Sequence, residues 1–183
     1  MIIFMGVAGS GKSMQGKLLA DTLGLPWLST GEFLRMLISG EKRKNMLSGK
    51  LLDDQEIIAL VQKIFTIIDV GEEFVLDGFP RTVAQADWLL GQVKHGQLAV
   101  TAVIHLVASQ EEVMRRLHAR GRQDDNEEAI AERFREYEEA ARPILQHFKD
   151  AGVAVCDVDG EQSIESVHAS IVSVISDVKH DAR

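Results

Sequence analysis

Gly6-Val7-Ala8-Gly9-Ser10-Gly11-Lys12-Ser13 fits the pattern G-x-x-x-x-G-K-S and directly follows the apolar run Ile2-Ile3-Phe4-Met5. Glycines let backbone N–H groups curl round a phosphate, and a helix starting there adds the positive end of its dipole. Lys12 is placed to reach the outer phosphates of a nucleoside triphosphate, and the Ser13 hydroxyl is a candidate Mg²⁺ ligand, because magnesium bound to phosphates takes few protein ligands. A glycine-rich turn would account for the glycines but not for Lys12-Ser13 at this spacing between a strand and a helix.

Short apolar runs predict further strands at Leu25–Leu28, Phe74–Leu76, Val103–Val107 and Val153–Val155, with helical segments between them. Such alternation predicts a five-stranded, mainly parallel sheet covered by helices on both faces, with ligands beyond the carboxyl ends of the strands. Ile57, Val61, Ile64 and Ile68 form one helical stripe. Ile130, Phe134, Tyr137, Ala141, Ile144, Leu145 and Phe148 form a long one, and Ile164, Val167, Ile171, Val174 and Val178 a last one, before a polar tail from Lys179 to Arg183. These stripes are expected in the core. No internal repeat or proline-rich linker divides the chain, so residues 1–183 are read as a single domain.

The composition, 45% hydrophobic and 26% charged over 183 residues, suits a globular chain with a full core. A formal net charge of −8 argues against a nucleic-acid surface and for a small anionic ligand met by a few focused positive charges. No apolar run approaches the roughly 20 residues of a membrane helix, and the loop begins too near Met1 to leave room for a signal peptide. A cytoplasmic protein without a membrane or nucleic-acid partner is expected. The single cysteine, Cys156, sits in an apolar run and is expected to be buried and inert. The six histidines show no metal-ligand spacing and are expected in surface or packing roles.

A second constellation is Phe74-Val75-Leu76-Asp77, a strand ending in a carboxylate suited to hold Mg²⁺ or its water shell beside the phosphates. It opens Asp77-Gly78-Phe79-Pro80-Arg81-Thr82, followed by Gln85. Together with Gln15, Leu28-Ser29-Thr30-Gly31-Glu32-Phe33-Leu34-Arg35, Gly49-Lys50-Leu51-Leu52-Asp53-Asp54, Arg120-Gly121-Arg122-Gln123-Asp124-Asp125-Asn126 and Arg133, this set resembles the nucleoside monophosphate kinases, adenylate kinases of the short-lid type most closely.

The resemblance implies a P-loop NTPase three-layer α/β sandwich and transfer of the γ-phosphoryl group of ATP, with Mg²⁺, to a nucleoside monophosphate, AMP being favoured. It implies ATP contacts at Gly9, Ser10, Gly11, Lys12, Ser13, Met14, Arg120 and Gly160, and AMP contacts at Thr30, Arg35, Lys50, Leu52, Gly78, Arg81, Gln85, Arg122 and Arg133. Lys12, Arg81, Arg120, Arg122 and Arg133 would stabilise the charge that spreads over the transferring group, with Ser13 and Asp77 at the metal. Asp124 and Asp125 would anchor the lid. The family also implies a monomer.

The sequence departs from the family's pattern in several places. Ser13-Met14 stands where Gly-Thr is usual, Ala8 where proline is common, and Glu32 where aspartate is common. The acceptor-binding flap, about residues 29–57, and the lid, about 119–125, both look shortened, which predicts less complete closure over substrates. Kinases for CMP, UMP or a small metabolite, and a non-catalytic nucleotide-binding protein, remain the alternatives.

Overall fold

The computed structural model describes residues 1–47, 52–121 and 126–181. In chain order the elements are β1 (Ile2–Met5), α1 (Lys12–Leu23), β2 (Trp27–Ser29), α2 (Thr30–Leu37), α3 (Gly40–Leu47), α4 (Asp54–Phe65), β3 (Val75–Asp77), α5 (Val83–Lys94), β4 (Ala102–Val107), α6 (Gln110–Arg120), α7 (Glu127–Asp150), β5 (Val155–Asp159) and α8 (Ile164–Asp181). The strands form one parallel five-stranded sheet in the order β2-β3-β1-β4-β5.

Strand β1 is central and buried along its whole length. Because side chains alternate across a strand, its residues serve two cores. Met1, Ile3 and Met5, with Leu76 and Val103, pack against Ile57, Val61 and Ile64 of α4, Leu89 of α5, and Ile144 and Phe148 of α7. Ile2 and Phe4, with Val75, Ile104 and Leu106, pack against Leu19 of α1 and Val167, Ile171 and Ile175 of α8. Three layers result, as expected from the alternation of strands and helices. A smaller cluster beneath the phosphate loop joins Val7 to Val113, Leu117 and Ile130, with Phe134 and Tyr137 against it. The long α7 stripe is thus divided between two clusters.

Several sequence expectations need correction. The second strand is Trp27–Ser29, not Leu25–Leu28, and Ile68, counted with the α4 stripe, lies beyond the end of that helix at Phe65. The last strand is Val155–Asp159, not Val153–Val155. As the edge strand, β5 needs apolar cover only at alternate positions, so Asp157 and Asp159 do not end it. Cys156 is only partly buried there, and burial pushes its thiol pKa up. Ile164, counted with the core stripe of α8, is 47% exposed because the helix's first residue projects into a cleft rather than onto the sheet. Among the described residues, no helix is long and apolar enough to cross a membrane.

Candidate active site

The loop between β1 and α1 is shaped by its glycines. Gly9 has φ 92°, and a Cβ there would lie 2.9 Å from Leu117 Cγ, so the loop rests directly on α6. Gly11 is the N-cap of α1 and offers no capping side chain, which leaves the first backbone N–H groups of the helix to face an anion. Lys12 bends back over the loop, its Nζ donating to the Val7 carbonyl at 3.4 Å. The side chain is partly open to the cleft, while its ammonium group lies deep within it. Desolvation lowers the Lys12 pKa to about 8, against the attraction of Asp77 and with the repulsion of Arg81, Arg120 and Arg133. Three arginines therefore repel the one lysine of this loop.

Sheet register brings Asp77 to the site. It stands opposite Phe4 of β1 and Ser29 of β2 at the carboxyl end of the sheet, and is 1% exposed. Its Oδ2 accepts from Ser13 Oγ at 2.6 Å and from Ser29 Oγ at 3.1 Å. Its Oδ1 is buried without a protein partner. A buried carboxylate oxygen left open beside a loop hydroxyl suits a phosphate-bound Mg²⁺, so Ser13 and Asp77 fit the expected metal position. Among the described residues no cluster of His, Cys, Asp or Glu forms a metal cage, as a phosphate-bound ion does not need one.

Beyond β3 the chain is tied down by polar contacts. Arg81 Nε donates to the Gly78 carbonyl at 3.1 Å, and Thr30 Oγ1 donates to the same carbonyl at 2.8 Å. The Gln85 amide accepts from Arg81 N and donates to Asp54 Oδ1, each at 2.8 Å. Asp54 also accepts from Thr82 Oγ1 at 2.8 Å, which links the start of α4 to the start of α5. Arg35 pairs with Glu32 at 2.6 Å. Leu52 is partly buried against the main core. Lys50, Arg122, Asp124 and Asp125 lie outside the described residues.

Two cavities open on this constellation. One, of about 530 Å³, is lined by Gly9, Ser10, Gly11, Lys12, Ser13, Met14, Arg120 and Gly160, the whole set expected to contact ATP, together with Arg116 and Ile164. The other, of about 70 Å³, is lined by Lys12, Gly78, Arg81 and Arg133, with Glu136 and Tyr137 on the α7 wall. Lys12 belongs to both.

The family model of adenylate kinase matches residues 4–153. This chain belongs to the adenylate kinase family. An adenylate kinase of Archaeoglobus fulgidus is 31% identical to it, with 97% of this chain and 99% of that protein covered. One from Corynebacterium urealyticum is 34% identical over 91% and 93% of the two chains, and adenylate kinase 1 of Synechocystis is 36% identical over 95% and 96%. The Archaeoglobus alignment runs over 215 positions against the 183 residues of this chain, so that relative carries segments this adenylate kinase family member lacks.

Sequence reasoning missed several side chains at the site. Arg116 Nη1 donates to the Ser10 carbonyl at 3.3 Å while its Nε donates to Glu112 Oε1 at 2.5 Å, so Arg116 braces the loop from α6. Its bonds to Arg115 and Arg116 hold the Glu112 carboxyl down at about 2. The signal available in the sequence was the four-residue spacing of Glu112 and Arg116 on one helix face. The contacts of Asp54 and Tyr137 carried no such signal, since their partners, Thr82 and Gln85 for the one and His105 for the other, come from distant segments.

Proposed function

We propose that the chain catalyses ATP + AMP = 2 ADP. The observation that carries this reading is the position of Lys12 at the junction of the two cavities, with the expected ATP contacts on one side and Gly78, Arg81 and Arg133 on the other. A group transferred between ligands in the two cavities would cross beside Lys12.

In this reading the backbone of Gly9 to Ser13 and the start of α1 cradle the phosphates of ATP, with Met14 and Gly160 bordering the donor and Arg120 over it. Arg35 and Arg81 hold the AMP phosphate, and Thr30, Gly78, Gln85 and the stretch from Lys50 to Leu52 form the rest of the acceptor pocket. Lys12, Arg81, Arg120, Arg122 and Arg133 meet the charge on the equatorial oxygens in the transition state, where fixed donors need no reorganisation. Ser13 and Asp77 would hold Mg²⁺, which when bound supplies charge neutralisation between the outer phosphates. Phosphoryl transfer needs positioning more than a base, which suits a site rich in cations.

The segments about 29–57 and about 119–125 act as flap and lid within one domain. The chain works as a cytoplasmic monomer on small nucleotides, not on nucleic acid or at a membrane. A coupled assay of ADP formation from ATP with AMP, CMP, UMP, GMP or no acceptor tests the reading. AMP should give the highest kcat/KM, and a preference for CMP or UMP would overturn the choice of acceptor.

A further inference from the structure

His105 stands at a register position that ties the phosphate loop's strand to the edge of the sheet. It pairs with Met5, the residue before Gly6, on one side and with Asp157 on the other. Its side chain is 15% exposed on the sheet face covered by α7. Nδ1 lies 2.6 Å from Asp157 Oδ1, and Nε2 meets the Tyr137 hydroxyl. A carboxylate can only accept, so Nδ1 carries the hydrogen, and in the neutral ring Nε2 is left as an acceptor. The Tyr137 hydroxyl is then the donor. Burial, reinforced by the Asp157 charge, pushes its pKa up, which keeps the proton in place.

Tyr137 lies one helical turn beyond Arg133, so the two share a face of α7, and both line the smaller cavity with Lys12 and Glu136. Its ring also packs against the cluster under the loop to which Val7 belongs. The bond from Tyr137 to His105 is therefore a polar tether between the α7 turn that carries Arg133 and the strand row that ends in the phosphate loop. Helix packing alone leaves room for small slides along the axis, whereas a hydrogen bond from a part-buried hydroxyl fixes one distance.

We propose that His105, oriented by Asp157, is a positioning residue for phosphoryl transfer: it accepts the Tyr137 hydroxyl and so sets the turn of α7 bearing Arg133 and Glu136 against Lys12. This rests on the kinase reading given above. It assigns a role to three residues that touch neither nucleotide phosphate nor metal in that reading, and it concerns transition-state alignment rather than ligand affinity.

The test is steady-state kinetics with ATP and AMP on Tyr137→Phe, His105→Leu, His105→Gln, His105→Asn and the double variant H105L/Y137F, with thermal melts on each. Tyr137→Phe and His105→Leu should each lower kcat about tenfold while either KM changes less than about threefold, the pattern of a lost transition-state contact. The double variant should be no worse than the poorer single one, because both remove the same bond. His105→Gln, whose amide oxygen can accept near the Nε2 position, should recover most of kcat, whereas His105→Asn, too short to reach Tyr137, should not. A Tyr137→Phe enzyme with lowered melting temperature but unchanged kcat, or single effects that multiply in the double variant, would overturn the inference. A wild-type chain that forms no ADP from AMP would instead overturn the kinase reading on which it rests.

Discussion

Ser13 donates its hydroxyl to Asp77 across 2.6 Å, joining the first turn of α1 to the end of β3 and leaving the other Asp77 oxygen buried and open. The serine at the family's usual glycine position is thus hydrogen-bonded to the carboxylate proposed to hold Mg²⁺. Ser13→Ala should lower kcat about a hundredfold, the order of effect expected for a lost group at a phosphoryl-transfer centre. Ser13→Thr should retain most activity. Steady-state ADP formation at saturating ATP and AMP measures this, and a Ser13→Ala enzyme with wild-type turnover would remove the proposed role.

Lys12 gives a pH prediction. Its pKa in the fold is lowered from 10.5 to about 8, so between those values the unfolded chain binds more protons than the folded one. Stability therefore rises with pH through that window, and below it the fold carries the full cost of a desolvated charge. Lys12→Met should melt above the wild type at pH 7, and the difference should shrink as pH rises from 8 towards 10.5. Melting curves across this range check it, since a pH-independent difference would mean that the charge is not desolvated.

Met14 is 55% exposed and lines the larger cavity, where the family usually places a threonine hydroxyl near the donor phosphates. Met14→Thr should restore a charge-assisted hydrogen bond and lower the KM for ATP about fivefold, leaving that for AMP unchanged.

Gly160 closes the edge of the same cavity. Its N–H donates to the Val107 carbonyl at 2.8 Å, and a Cβ there would sit 3.0 Å from Ser10 O and 3.1 Å from Val107 O. Both obstacles are backbone, so Gly160→Ala requires the Ser10 and Val107 carbonyls to give by a few tenths of an ångström, which presses on the phosphate loop. ATP binding, measured by calorimetry, should weaken about tenfold, and the melting temperature should fall.

What the sequence made legible was what depends on local spacing. The loop Gly6 to Ser13, the strand ending in Asp77 and the α7 stripe are each patterns within a few turns of chain, and the structure has all of them. Part of the larger cavity's lining was also legible, Gly9 to Met14, Arg120 and Gly160, but Glu112, Arg115 and Arg116 from α6 and Ile164 and Val167 from α8 were not. The His105–Asp157 and His105–Tyr137 contacts were not, since they join residues 52 and 32 positions apart through strand register and helix docking. Ile164 was misread because periodicity gives the face of a helix but not where a cleft cuts across that face. The last strand was misplaced because apolar content marks a buried strand well and an edge strand poorly.

The central claim is transfer between the two cavities that meet at Lys12. A single-turnover experiment with ATP labelled at the γ-phosphate, run with Mg²⁺ and excess AMP, tests it most directly. The label should appear in the β-phosphate of ADP formed from AMP, with little inorganic phosphate and little reaction when AMP is omitted. Release of the label as inorganic phosphate at the same rate with or without AMP would contradict the account.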